Sequence, residues 1–298
     1  MKRRALLSLA ASLGLSARAS AKELVSDELS LEELSLSGDP AFGRYLLAVP
    51  KNLPPAPDLL VLLHGLGETV EQRMGSRAFA ERYGLLSAVA RLTHPPLERT
   101  LTRVDYFGAG RLEELNTALL GRPYRCPVLL CPFTPNPYKA GGDPTVARFA
   151  HFVGGPLKSA VEARLNVTFP ASRAMISGVS LGGYLAVELF LKTPELYAAV
   201  GTAQGAFGPQ QAARYAAGIA GAVKRVGPRR VEILTSSEDS YRPANVAFHR
   251  HLQKLGQAAR LRVSPGPHDQ RWLNESGVIE MLVAADDVFA ECRAGGGS

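Results

Sequence analysis

The sequence predicts an α/β fold built on a mostly parallel sheet. Two observations carry this. Short apolar runs alternate along the chain with stretches of helical spacing, and several of those runs are apolar at consecutive positions. Leu59 to Leu63 is one such run, and consecutive apolar residues suit a strand covered on both faces by helices. With 298 residues, 46% of them hydrophobic, the chain is long enough to bury one large core.

The first residues are read apart from that fold. A basic head, Lys2-Arg3-Arg4, precedes an apolar run from Ala5 to Leu15 and a small-residue stretch ending in Ala19-Ser20-Ala21. This is the layout of a cleavable signal peptide over 1–21, with an apolar core too short to span a bilayer. Arg3-Arg4 followed by Ala5-Leu6-Leu7 also resembles a twin-arginine signal. The alternative is a buried amphipathic helix. Export is the expectation, to the periplasm or the extracellular space, without stable membrane insertion. Cleavage removes Lys2, Arg3, Arg4 and Arg18 and no acid, so the net charge of +7 falls by four to +3. The remaining basic residues are scattered, which gives no case for nucleic acid as a partner.

Residues 22–42 read as an N-terminal segment and 43–290 as the catalytic domain. Within it, 43–50 and 58–65 are two strands, expected to be neighbours across the proline-rich turn 51–57. Helical spacing over 78–92 is followed by a buried apolar run within 126–138, which prolines stop. A partly helical stretch over 146–166 leads into the short strand 173–178 and the helix that begins at Leu181. Two further strands, within 229–239 and 259–269, flank a helix over 245–256. The glycine-rich end, 291–298, reads as a flexible tail.

Three cysteines leave at least one thiol unpaired. On a strand, Cys126 and Cys131 would stand about 16 Å apart, beyond disulfide reach, so a bridge would have to join one of them to Cys292. No cysteine spacing resembles a zinc site, and Asp143 and Asp269 lack companion ligands. No metal or other cofactor is expected.

The chemistry centres on Gly178-Val179-Ser180-Leu181-Gly182. By frequency alone about 0.2 such G-x-S-x-G matches are expected in a chain of this composition, so context decides. Here a strand runs in and a helix runs out, as a nucleophilic serine on a strained turn requires, and Gly178, Gly182 and Gly183 supply the room where strand and helix nearly touch. Such a serine needs a base. His249 and His251 fall within a helical stretch and read as helix-surface residues, whereas His268 sits in a Pro-Gly-Pro loop after a strand. The acid should follow the preceding strand, where Asp239 is preferred and Glu238 is the alternative. Acyl chemistry also needs donors for a developing oxyanion. The N–H of Leu181 and that of Leu66, in Leu63-His64-Gly65-Leu66-Gly67-Glu68, are the candidates, with His64 shaping the loop. Trp272 either lines the cleft or packs. Tyr106, Phe107 and Phe133 form either an aromatic wall or core.

The stretch from Ser172 to Phe207, with the His64-Gly65-Leu66-Gly67-Glu68 motif, the segment 236–256 and Gly266-Pro267-His268-Asp269-Gln270-Arg271-Trp272, resembles the esterase D-like family. That family includes S-formylglutathione hydrolases, feruloyl and acetyl-xylan esterases, siderophore esterases and mycolyltransferases. The resemblance spans 43–290 and implies an α/β-hydrolase fold with Ser180, Asp239 and His268 at the triad positions. Residues 93–124 and 208–228 depart from the pattern. The expected function is an exported serine esterase acting on a small-molecule or polysaccharide-linked ester. The alternatives are an acyltransferase of the mycolyltransferase type and a non-catalytic binding protein that keeps the fold.

Overall fold

A computed structural model describes residues 24–36 and 41–295. The signal expected at 1–21 lies outside the described residues. Among the described residues eight strands make one sheet: β1 (Leu29–Ser35), β2 (Arg44–Pro50), β3 (Leu59–Leu63), β4 (Val128–Pro132), β5 (Ala174–Gly178), β6 (Ala199–Ala203), β7 (Arg230–Ser236) and β8 (Ala259–Ser264). Their order is β1-β2-β4-β3-β5-β6-β7-β8. The β1–β2 and β2–β4 pairs are antiparallel and all later pairs are parallel.

One sequence expectation changes here. The strands 43–50 and 58–65 are not neighbours, because β4 pairs with both and lies between them. The run over 128–132 has no polar face and gains most by sitting inside the sheet. The segment 22–42, read from sequence only as N-terminal to the domain, contributes to the sheet. Seven of its residues form β1, which pairs along its whole length with β2 and covers that edge.

The helices are α1 (Gln72–Glu81), α2 (Leu85–Thr93), α3 (Arg111–Gly121), α4 (Asp143–Phe152), α5 (Lys158–Leu165), α6 (Leu181–Lys192), α7 (Pro209–Val226), α8 (Arg242–Lys254), α9 (Gln270–Trp272) and α10 (Val278–Gly295). The helical stretch 78–92 is two helices, because Gly84 takes a left-handed conformation, φ 77°, at the start of α2. The glycine-rich end was expected to be a tail from 291, but α10 continues to Gly295, its inner face packed into the core through Val288 and Phe289.

Alternate residues of β3 divide the core. Leu59, Val61 and Leu63 face a layer containing residues of α4 to α8, while Leu60 and Leu62 face α1, α2, α3 and α10. This two-sided burial is the cause of the unbroken apolar run. The segment 93–124, outside the family pattern, supplies α3, which a buried, two-pronged ion pair from Arg111 to Glu280, at 2.7 and 2.6 Å, fastens to α10. All three cysteines are free thiols, so no bridge to Cys292 forms.

Candidate active site

Parallel strands deliver their C-terminal ends to one edge of the sheet, where open α/β folds place their clefts. Ser180 stands there, between the end of β5 and the first turn of α6. Its backbone has φ 56° and ψ −118°, a left-handed conformation that a residue with a Cβ rarely adopts. The surroundings hold it so. The Ser180 N–H donates to the Ala203 carbonyl at 2.9 Å, and its own carbonyl accepts from Ala206 and Tyr184 at 3.0 and 3.1 Å. The turn is as crowded as the glycine pattern implied. A methyl group on Gly182 would lie 2.0 Å from the Leu63 carbonyl oxygen, and one on Gly178 would lie 2.3 Å from that of Gly182.

Asp239 and His268 come from the loops after β7 and β8. Those loops are stitched together: Gly266 N–H donates to Ser237 Oγ at 3.1 Å, Glu238 N–H to the Gly266 carbonyl at 3.0 Å, and Ser236 Oγ to the Pro267 carbonyl at 3.2 Å. Nδ1 of His268 lies 2.8 Å from Oδ1 of Asp239. Asp239 is buried, whereas Glu238 is exposed, so the two acids proposed from sequence part at this point. Burial pushes the Asp239 carboxyl pKa up, but hydrogen bonds from His268, Thr235 and the Tyr241 N–H outweigh it and hold the group below the ordinary aspartate range. The carboxylate is ionised at neutral pH and can only accept. Nδ1 of His268 is therefore the donor, which leaves Nε2 as the nitrogen free to take up a proton.

Among the described residues, no hydrogen bond joins the Ser180 hydroxyl to His268. Gln204 instead braces the loop that carries His268 against the end of β6. Its Nε2 donates to Ser236 Oγ at 2.7 Å and to the Pro267 carbonyl at 3.0 Å, and it directly follows Ala203, the backbone partner of Ser180. Gln204 is fully buried and has φ 49°. Sequence reading passed over it. A glutamine between the end of β6 and Gly205 gives no signal of its own until the fold brings the β8 loop beside it.

The loop after β3 reaches the same edge. A methyl group on Gly65 would lie 3.7 Å from the Ser180 Cβ. Leu66 and Leu181 are each the first residue of a helical turn, where the backbone N–H has no partner within the helix. His64 is fully buried and lies inside this loop's hydrogen-bond network. Trp272 does not line the cleft. It is 1% exposed, its indole N–H donates to Ser264 Oγ at 2.7 Å, and its ring packs over Gly277. Tyr106, Phe107 and Phe133 are likewise buried. Asp269 caps α9 through the Trp272 N–H at 2.8 Å.

Exposed apolar and aromatic side chains stand on the segments around this edge: Leu66 and Val70 on the β3 loop, Tyr138, whose ring stacks on Tyr184 at 6.2 Å, and Tyr241, 5.7 Å from the His268 ring.

No family model matches the chain, and no curated protein matches it by sequence. Solved structures do. A ferulic acid esterase superposes with a TM-score of 0.62 at 14% identity, covering 88% of this chain and 99% of its own. An S-formylglutathione hydrolase from Staphylococcus aureus gives 0.58 at 12% identity, over 86% of this chain and 99% of that one. A feruloyl esterase module from Clostridium thermocellum, complexed with sinapinate, gives 0.55 at 17% identity, over 86% and 87%. At such identities the likeness is one of fold, and together with the sheet order it establishes that this chain has the α/β-hydrolase fold in the form these esterases share.

Proposed function

We propose that the chain is a serine carboxylic-ester hydrolase, exported by its N-terminal signal and using Ser180, His268 and Asp239. The observation that carries this reading is the left-handed Ser180 at the β5–α6 turn, on the same sheet edge as an imidazole oriented by a buried carboxylate. Ser180 Oγ adds to the ester carbonyl carbon as its proton passes to Nε2 of His268. The carbonyl oxygen becomes an oxyanion, which the N–H groups of Leu66 and Leu181 receive. The tetrahedral adduct collapses to the acyl-enzyme, and the alcohol departs with the proton from His268. Water, deprotonated by the same ring, then releases the acid. Asp239 holds the Nδ1–H tautomer and stabilises the imidazolium.

The exposed Leu66, Val70, Tyr138 and Tyr241 support an ester with an apolar or aromatic portion, since such side chains gain by covering apolar surface. The test is release of p-nitrophenol from acetyl, butyryl and octanoyl esters by the parent and by Ser180→Ala, with fluorophosphonate labelling of both. Turnover and labelling that vanish together in Ser180→Ala support the reading. An unlabelled, inactive parent overturns it.

A further inference from the structure

Two peptide groups of the β3 loop are held by buried side chains whose roles the reaction scheme above does not use. On one side, the Thr134 N–H donates to Nε2 of His64 at 2.8 Å. A peptide N–H can only donate, so Nε2 is the unprotonated nitrogen and the proton is on Nδ1. Nδ1 lies 2.9 Å from the Gly65 carbonyl oxygen and therefore donates to it. Helix α1 closes over the ring with Gly75, where a methyl group would lie 2.4 Å from His64 Nε2, so the ring has no room to turn. On the other side, the Gly65 N–H donates to the Tyr83 hydroxyl at 3.1 Å, and that hydroxyl donates in turn to Oε2 of Glu68. Glu68 is buried, with Arg82 at 3.4 Å from its other oxygen.

A trans peptide is planar, and its C=O and N–H point in opposite directions. Fixing the Gly65 carbonyl therefore fixes the direction of the Leu66 N–H. Fixing the Gly65 N–H removes the remaining freedom of the loop, because a glycine otherwise rotates more freely than any other residue. The space beside Gly65 is tight: a methyl group there would lie 3.2 Å from the Tyr83 hydroxyl.

We infer that His64, Tyr83 and Glu68 are positioning residues that clamp Gly65 from both sides and so aim the Leu66 N–H at the oxyanion. The inference rests on the hydrolase reading and on Leu66 being a donor. The clamp preorganises a dipole that would otherwise have to be oriented during the reaction. It acts on the transition state, where the oxyanion exists, and leaves ground-state binding almost untouched.

The experiment compares the parent with Tyr83→Phe, Glu68→Ala and Glu68→Gln on p-nitrophenyl butyrate. It also measures inhibition by an alkyl trifluoromethyl ketone. Ser180 Oγ adds to the ketone carbon, its proton moves to His268, and the ketone oxygen becomes the oxyanion of a stable hemiketal. Tyr83→Phe is expected to lower kcat about 10-fold, within the effect of losing a whole oxyanion donor. The ketone's inhibition constant should rise by a similar factor while KM stays near the parent's. Glu68→Gln, which keeps an acceptor for the Tyr83 hydroxyl, should lose less than Glu68→Ala. A folded Tyr83→Phe with unchanged kcat overturns the inference, and so does a fall in kcat without weaker ketone inhibition. Should Tyr83→Phe fail to fold, His64→Asn and His64→Gln decide. The Asn amide nitrogen replaces Nδ1 and the Gln amide nitrogen replaces Nε2, so only the first keeps the bond to Gly65 and should retain more kcat. Equal kcat in the two overturns the clamp. A parent with no turnover and no labelling at Ser180 is a different result: it removes the hydrolase reading, and the clamp with it.

Discussion

Nδ1 of His268 and Oδ1 of Asp239 lie 2.8 Å apart, and both oxygens of that carboxylate are engaged, Oδ2 accepting from Thr235 Oγ1 at 2.7 Å. The carboxylate therefore fixes the ring and is itself fixed, which is what orienting a base requires.

An asparagine in its place keeps the shape and removes the charge that stabilises an imidazolium. Asp239→Asn is expected to lower kcat by about 10³- to 10⁴-fold. It should also change acid stability. The Asp239 pKa is depressed in the folded chain, so its contribution is fully present above the ordinary aspartate value and is lost as pH falls through the folded value. Urea denaturation should therefore show a shallower loss of stability below about pH 4 in Asp239→Asn than in the parent.

His64 gives a second pH dependence with a different window. Burial lowers its pKa from 6.5 to about 4, opposed by its bond to the Gly65 carbonyl. The unfolded chain takes up a proton at this site below 6.5 and the folded chain does so only near 4, so stability falls progressively as pH drops between these values. The loss between about pH 7 and pH 4.5 is about 2 kcal/mol from this one ring. His64→Asn, which cannot titrate, should lose that much less over the same interval, measured by urea denaturation at both pH values.

These residues also mark where the sequence was legible and where it was not. Ser180, Gly178 and Gly182 are readable because a crowded turn leaves a local pattern, and the loops carrying Asp239 and His268 follow recognisable strands. Glu238 and Asp239 are adjacent, and only the fold buries one and exposes the other. Trp272 was ambiguous for the same reason, since its burial depends on Ser264 and Gly277 meeting it. Gln204, Tyr83 and Glu68 act through partners brought by folding, some of them far along the chain, and no spacing announces such partners. The placement of β4 between β2 and β3 was likewise hidden, because pairing order depends on which strand most needs cover, not on adjacency in sequence.

The segment around α3 departs from the family pattern, yet the ion pair between Arg111 and Glu280 ties it to the core. Both side chains are largely buried, so removing one strands the other charge away from water. Arg111→Met is expected to cost about 3 kcal/mol. Arg262 remains 3.3 Å from Glu280 and limits the loss. Arg111→Met with Glu280→Leu should recover part of it, because an apolar pair of similar volume carries no stranded charge. Chemical denaturation of the three proteins checks the order.

The strain at Ser180 can be measured apart from its chemistry. Ser180→Ala and Ser180→Gly both remove the proposed nucleophile, so both should be inactive, and they differ only in the Cβ. At φ 56° and ψ −118° that carbon is what makes the conformation costly. Ser180→Gly should therefore be the more stable of the two by about 1 kcal/mol, strain relief exceeding the extra entropy that glycine gives the unfolded chain. Ser177, on the extended strand β5 three residues earlier, supplies the control. There glycine relieves nothing and only adds freedom to the unfolded state, so Ser177→Gly should be less stable than Ser177→Ala. A reversed order at 180 and an ordinary order at 177, read from paired thermal melts, would locate stored strain at the turn that holds Ser180. The ordinary order at both positions would mean that the turn costs the fold nothing and that its shape is fixed by glycine packing alone.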